Sequence, residues 1–587
     1  FKEEERVRIS FVVEKRTLNR LIYIYINGIM SGAAQYPSED NFQQKVPQDI
    51  VIGSEGCTID LYNIRVYDND LNQYQMLDNF IGDLDDYDKA LAIYNRNQVY
   101  NDYGDITYQK VLERLPCLIF EGPLPTYKGD KKTNKVYFTD LQEPGRSFSC
   151  ENVQNDVQGT SSQYYPRKNW KFKFKADITY TESGRTSPTY ALRANSIPVN
   201  AFCVKADFAE SSGTHNTGMA KVINSLLIEM GLTTPPQKTN KEVRTTVDGY
   251  PIAIFHRETA SDTLEFVGKY NFNNDKSTAD TFGFSEGDES WEFSNNTSDR
   301  CLFKSADFSG TDWTNDFESR YPDDDAINAE YEAGTRKPEK LMAVTSWVVS
   351  TKDNLDKFKN EVRNHFNLDN LIAYYLITEL FGMVDQRAKN MFLTYFHEEG
   401  KWIFIFYDND TCFGLNNEGL IAFGYNIEYH DKIGTLNVWN GESSVLWNNL
   451  EKCFPSEIEA MYKDIRTRGL LSYDLIMSVL NGEQSDKWCE AIYNADGRFK
   501  YIDPLIEEGN GSYLYAAQGS RIENRKWWTY NRFLYIDSKY TAGSFLSDFA
   551  TLRLYTPREW TGVSPSANMT IIPYADQYTR VKYGSYM

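Results

Sequence analysis

The chain has 587 residues, with 83 acidic against 62 basic side chains and a formal charge of −21, a balance that repels phosphate backbones and anionic membrane surfaces and argues against nucleic acid or membrane as partner. Hydrophobic residues at 41% and aromatics at 15% supply apolar surface for several packed cores, which excludes bulk disorder; the length suggests about three to five domains. Eight cysteines stand singly, with no CxxC pair and no zinc spacing, so neither a disulfide framework nor a zinc site is expected and a reducing cytosol suits assembly. The longest apolar stretch, Leu371 to Val384, is broken by Glu379 and falls short of the ~20 residues a bilayer demands.

In chain order, RLIYIYINGIMSG reads as two strands around an Asn27-Gly28 turn, a strong short-range hairpin signal. In CTIDLYNIRVYD the alternation slips phase between Leu61 and Ile64, as a bulged strand would. This hairpin, the IGS turn and the strand resemble the closing half of a concanavalin A-like, laminin-G-type jelly roll over residues 1–83, whose earlier strands are expected before Phe1. Residues 84–150 carry no recognisable motif and read as a connector. The stretch from Lys269 to Asp325 crowds Asn, Asp, Ser and Gly around isolated aromatics and reads as long loops or an insertion, near 270–340. After Met342 the chain turns helical, with Ile372, Tyr375, Leu376, Leu380 and Met383 at helical spacing on one face; from about Ser547 strands return (TLRLY, MTIIPY, RVKYG).

The chemistry concentrates in LITELFGMVDQRAKNMFLTYFHEEGKWIFIFYDNDTCFG, Leu376 to Gly414. An apolar helix ends near Gly382, Asp385 follows, and Asn390 opens the strand MFLTYF. The next strand, WIFIFY, is uninterruptedly apolar, as a strand buried on both faces should be, and delivers Asp408 and Asp410 into a turn closed by Gly414. Phosphoryl transfer uses such a set: a carboxylate to take the hydroxyl proton, an Asn and an Asp for Mg²⁺. D-x-x-x-x-N followed by an Asp on the next strand is a protein-kinase spacing; turn formers and calcium ligands are the competing readings. Mutual repulsion among the carboxylates predicts that removing Asp385 or Asp408 leaves the melting temperature unchanged or raised.

VQGTSSQYYPRKNWKFKFK, Val157 to Lys175, sets a Gly and three hydroxyls ahead of a strand in which Lys171, Lys173 and Lys175 alternate with Phe172 and Phe174. A small-residue loop can offer backbone N–H groups to phosphates, with a strand lysine as point charge; an exposed edge strand blunted by lysines has the same pattern. Four segments in order, GTSSQYYPRKNWKFKF, VDQRAKN, FYDNDTCFG and AQGSRIENRKWWTYNRFLYIDSKY (517–540), resemble the spore-coat CotH-type atypical kinase family. The resemblance implies that Gly159, Ser161, Ser162 and Lys173 bind ATP, that Asp385 is the catalytic carboxylate, and that Asn390, Asp408 and Asp410 hold Mg²⁺. It also implies a helix Glu paired with Lys173, for which Glu210 and Glu229 are the nearest candidates.

The expectation is therefore an α+β multidomain protein: a β-sandwich remnant (1–83), a connector (84–150), a kinase-like two-lobed core (151–543) and the start of a β-rich region (544–587). Lectin-like sandwiches joined to such a core in a long acidic chain resemble structural proteins of bacteriophage tails and virions. That context implies assembly in a host cytoplasm, with other virion or surface proteins and glycans as partners. Two further readings stand beside it: an active secreted or coat-associated kinase, and a glycan-binding surface protein on an inactive kinase-like scaffold.

Overall fold

The structure, a computed structural model, describes residues 9–15, 19–26, 29–37, 107–159, 162–164, 168–207, 215–383, 385–415, 425–428, 441–480, 522–541, 551–555, 569–573 and 578–583. It is α+β. At the amino terminus β1 (Ile9–Lys15), β2 (Asn19–Ile26) and β3 (Ile29–Pro37) form an antiparallel three-stranded sheet. Ile26 pairs with Ile29, which is the two-residue connection that Asn27-Gly28 predicts. The phase-slipped strand expected at 58–67 lies outside the described residues. At the carboxy terminus β17 (Thr551–Tyr555), β18 (Met569–Pro573) and β19 (Tyr578–Tyr583) form a second three-stranded sheet, with β19 central.

The middle of the chain begins with a closed barrel. Its staves are β4 (Cys117–Glu121), β5 (Lys132–Thr139), β6 (Phe148–Gln158), β7 (Asn169–Phe174), β10 (Ala201–Lys205), β11 (Gly249–Arg257) and β12 (Glu265–Asn274), with the short β8 (Ile178–Tyr180) and β9 (Thr186–Ser187) extending from β6. The order β5-β4-β11-β12-β10-β7-β6 closes because β5 pairs with both β4 and β6. Alternation sets what fills it: Trp170, Phe172 and Phe174 of β7 point inward to join Phe120, Phe138, Phe148, Phe202 and Phe272 in one aromatic core, so the lysines between them point out. On β6 the inward set shifts from Phe148 and Cys150 to Val153 and Val157, where the register against β5 slips between Asn134 and Val136, the mark of a bulge.

Two sequence expectations change here. The segment read as a connector contributes the staves β4 and β5 and the start of β6, because its short apolar runs alternate against neighbours far away in sequence. The lysine-bearing strand is no exposed edge, since β7 lies between β10 and β6.

A four-stranded sheet follows, ordered β14-β13-β15-β16, from β13 (Glu289–Phe293), β14 (Phe317–Tyr321), β15 (Met391–Phe396) and β16 (Lys401–Phe406). The polar stretch before Asp325 is therefore not an insertion of loops: it supplies β12, β13 and β14, with Trp291, Phe293, Phe303 and Trp313 buried. Polar composition hid it because single large aromatics, not apolar runs, anchor each strand. One face of the sheet (Trp291, Leu393, Phe404, Phe406) joins a large helical core; the other (Phe392, Phe396, Ile403, Ile405, Tyr407) packs on Phe282, Phe284 and Val247.

Besides Asp325–Glu332 and three shorter turns of helix, the described helices are α1 (His215–Glu229), α2 (Glu339–Ser350), α3 (Leu355–His365), α4 (Leu368–Phe381), α5 (Val445–Cys453), α6 (Pro455–Thr467), α7 (Tyr473–Leu480) and α8 (Ile522–Thr541). Helix α4 has no polar face. Every residue but Asp369 is buried, because α6, α8 and β16 surround it, so the one-sided stripe expected of it is replaced by an all-round apolar surface. None of the six described cysteines forms a disulfide, and among the described residues no helix is long and apolar enough to cross a membrane.

Strand β16 is buried on both faces although it ends the sheet. Its open edge is answered by parallel bridges from Phe366 to Trp402 and from Thr246 to Phe406. Between them the Asn370 side chain acts as a short strand: Oδ1 accepts from Phe404 N at 2.8 Å and Nδ2 donates to Phe404 O at 3.3 Å. Asn370→Leu would leave both backbone groups buried and unpaired, so it should destabilise the protein by about 2 kcal/mol. Urea denaturation checks this, with Asp369→Asn as the neighbouring surface control.

Candidate functional site

Strand β16 ends at Phe406, and Tyr407 and Asp408 leave the sheet toward the outer wall of the barrel. Asp408 adopts φ +58° and Asn390 φ +53°, left-handed conformations that Asp and Asn tolerate better than other side chains. The turn is anchored from behind, where Phe413 N donates to Phe381 O at the end of α4. Asp385 is 3% exposed, and Asn390 Nδ2 donates to its Oδ2 at 3.4 Å. The intervening Gln386 donates from Nε2 to the carbonyls of Tyr407 (2.6 Å) and Asp408 (3.0 Å), so the two motifs lie side by side. Arg387 is wholly buried against α4, donating to Thr378 Oγ1 and Tyr375 O and pairing with Glu379 at 3.3 Å.

The barrel answers with a lysine. Lys205, the last residue of β10, is 4% exposed, and its Nζ lies 2.5 Å from Asp408 Oδ1 and 4.7 Å from the centre of the Tyr407 ring. Burial alone would lower the ammonium, but Asp408, Tyr407 and Asp207 hold it well above its ordinary value. Helix α1 completes the ring of contacts. Asn216 donates to Asp408 Oδ1 at 3.2 Å, its own Oδ1 accepts from Asn409 N at 3.2 Å, and His215 Nδ1 lies 3.4 Å from the Asp410 carbonyl.

One lysine does not balance this much negative charge. Burial, followed by the fields of Asp408 and Asp207, pushes the Asp410 carboxyl well above the usual carboxylate range; Asp385 adds to it and Lys205 opposes it. Asp207, at the barrel rim, accepts from Asn271 Nδ2, and Asn271 Oδ1 accepts from Thr217 of α1 at 3.3 Å. Next to Tyr407 a second charged group is self-contained. Glu292 of β13 pairs with Lys276 at 2.7 Å and Arg320 at 2.5 Å, and Lys276 also lies 4.8 Å from the Tyr407 ring centre.

The structure thus brings together Asp385, Asn390, Asp408 and Asp410. It does not bring Lys173 to them: Lys173 is exposed on the outside of β7, two residues beyond Lys171, which pairs with Asp275. Glu229 is exposed at the end of α1 and does not pair with Lys173; Glu210 lies outside the described residues. The role expected of Lys173, facing the carboxylates, is filled in space by Lys205. Gly159 has φ +113° and an added Cβ would strike Ser162 Oγ, so only glycine fits; Ser161 lies outside the described residues. Ser162 Oγ accepts from Asn169 Nδ2 at 3.3 Å, and Asn169 Oδ1 accepts from Ala206 N at 2.7 Å, which ties the small-residue loop to the residue after Lys205.

Sequence reasoning passed over Lys205, Asn216, Asp207 and Gln386. A signal for Lys205 existed. In AFCVK a lone lysine ends a strand whose five residues are all buried, and a buried ammonium needs a carboxylate partner. Of the three lysines alternating with Phe, Lys173 and Lys175 need only solvent.

Residues 280–472, about a third of the chain, match the model of a family described as CotH kinase protein, so a domain of that family occupies this segment. The match contains Asp385, Asn390, Asp408 and Asp410 and leaves the barrel, with Gly159, Ser162 and Lys205, outside it. No curated protein matches the chain.

Two expected outcomes test this electrostatic picture. Lys205→Met removes the partner of a partly buried carboxylate and should cost about 1–3 kcal/mol in urea denaturation, whereas Lys173→Met should leave stability unchanged. For Glu292, burial would raise the carboxyl, but Arg320 and Lys276 outweigh it and lower it from 4.5 to about 2. A depressed folded value means the stabilisation is complete above the unfolded value and disappears as pH falls toward 2. Glu292→Gln should therefore lower stability at neutral pH and flatten the fall between about pH 5 and pH 2, read from denaturation midpoints across a pH series.

Proposed function

We propose that the seam between the barrel and the four-stranded sheet transfers a phosphoryl group from ATP to a protein hydroxyl. The observation that carries this is the convergence of Asp385, Asn390, Asp408 and Asp410, from a loop and a strand end, opposite a single buried lysine. Phosphoryl transfer asks little covalent work of a protein; it needs charge stabilisation and aligned reactants. In this reading Asp385, oriented by Asn390, takes the acceptor's proton. Lys205 supplies positive charge at the barrel wall. The loop at Gly159 and Ser162, linked to β10 through Asn169, would offer donors to phosphate oxygens.

The donor set of carboxylates and one amide is all hard oxygen, which suits Mg²⁺ held by one or two carboxylates together with substrate phosphates. The negative field that raises Asp410 is the feature a cation would relieve. Asp408, Asp410 and Asn390 would hold the ion, and when bound it would neutralise charge on the phosphoryl oxygens.

A non-catalytic scaffold is the second reading. It is favoured by one observation: among the described residues no three His, Cys, Asp or Glu side chains stand close enough to hold a metal ion. A virion setting, with glycans bound through the amino-terminal sheet, gains no support from the family match, which covers neither terminal region.

Wild-type protein should show a Mg²⁺-dependent rise in melting temperature with ATP and transfer phosphate to itself or to added protein. Asp385→Asn should keep the thermal shift and lose about 10²–10⁴ in transfer rate; Asp408→Asn should weaken the shift itself. Asp408→Asn should also lower the melting temperature without ligand, because Lys205 loses its counter-charge. That reverses the expectation, drawn from repulsion alone, that removing this carboxylate is harmless. A folded wild type with neither shift nor transfer establishes the scaffold reading instead.

A further inference from the structure

We propose that Gln386 is the positioning residue that sets the separation between the proton-accepting and cation-holding halves of the site, an assignment that rests on the phosphoryl-transfer reading. Gln386 follows Asp385 directly and is wholly buried. Its Nε2 has two hydrogens and uses both across the motif boundary, on Tyr407 O at 2.6 Å and Asp408 O at 3.0 Å. Its backbone carbonyl accepts from Tyr374 Oη at 2.6 Å. Tyr374 in turn is immobilised in the core of α4 and β16, stacked on Phe406 with ring centres 4.2 Å apart and on Trp447 at 5.6 Å. The chain of contacts runs from the rigid core through Gln386 to the residue that bears the cation-binding carboxylate.

What Gln386 grips explains why a grip is needed. Asp408 is held at φ +58°, a conformation that a non-glycine residue keeps only where its surroundings over-determine it. Its side chain is fixed by Lys205 from the barrel and by Asn216 from α1. Its carbonyl is fixed by Gln386, from the sheet side. Without the second grip Asp408 can follow the barrel, and its distance from Asp385 is no longer set. Near-attack geometry is sensitive to shifts of an ångström, so the loss falls on the chemical step, not on nucleotide affinity.

Two variants of the full chain separate this from ordinary core packing. Gln386→Met keeps length and volume but removes both donors; Gln386→Glu turns carboxylate lone pairs toward two carbonyl oxygens. The kcat for phosphate transfer should fall about 10–100-fold in Gln386→Met and further in Gln386→Glu, with KM for ATP within about threefold of wild type. Amide hydrogen exchange should rise at residues 408–413 and stay unchanged elsewhere in the sheet. A folded Gln386→Met protein with wild-type kcat and wild-type exchange at 408–413 overturns the proposal, as does a loss confined to KM. If the wild type itself transfers no phosphate, the phosphoryl-transfer reading fails separately; unchanged exchange then overturns the grip on Asp408, and faster exchange confined to 408–413 upholds it.

Discussion

A lysine that ends a barrel strand and is almost completely buried must find a carboxylate, and Lys205 finds Asp408, 203 residues further along the chain. Much of the central architecture answers to that requirement. The barrel wall and the end of β16 are brought to hydrogen-bonding distance, Tyr407 is drawn beneath the ammonium group, and α1 closes over both through Asn216. Removing either charge alone is costly because the other is left desolvated, so the pair fixes the seam in one arrangement.

The seam is polar by the logic of strand alternation. In β7, β10 and β12 the largely aromatic side chains that fill the barrel alternate with Lys171, Cys203, Lys205, Asn271 and Asn273, so a barrel with an aromatic interior presents polar groups to whatever packs outside it. The four-stranded sheet meets this wall with Tyr407, Glu292 and Arg320. Glu292 and Glu318 with Lys276 and Arg320 make a balanced group of two anions and two cations; the carboxylates near Asp410 are not balanced, and carry more negative charge than Lys205 offsets. One part of the seam is thus neutral, and the adjoining part carries an excess of negative charge. Charge imbalance, more than any single residue, distinguishes the site from the ion pairs around it.

Rigid support for the site comes from behind. Helix α4 is buried all round, and its residues hold the segment after Asp385 at three points: Tyr374 on the Gln386 carbonyl, Thr378 and Glu379 on the Arg387 guanidinium. Glu379 also accepts from Arg532 of α8, so the carboxy-terminal helix bears on the same segment through one carboxylate. Asn370 at the other end of α4 seals the edge of β16. A helix with no polar face can do this because its few polar side chains are spent on neighbouring backbone and on one another.

The sequence alone determined the local grammar: the Asn27-Gly28 hairpin, the fully buried strand WIFIFY, and the spacing that puts Asp385, Asn390, Asp408 and Asp410 at the ends of adjacent elements. These are legible because hydrogen-bond geometry and side-chain periodicity act over a few residues, and β15 and β16 are joined by a short turn. Tertiary structure decided what depends on closure and on partners distant in sequence. Whether 117–139 is connector or barrel stave depends on β5 meeting β6 around a ring. Whether 269–325 is loop or sheet depends on aromatics such as Trp291 and Trp313 finding a common core. Which lysine faces the carboxylates depends on where along the barrel's outer wall each one sits: alternation turns both outward, but Lys173 lies beside Ala201 at the start of β10 and meets solvent, while the end of β10 carries Lys205 into the seam. A strand's own pattern shows that its two faces differ; only the packed neighbours determine which face is water and which is the site.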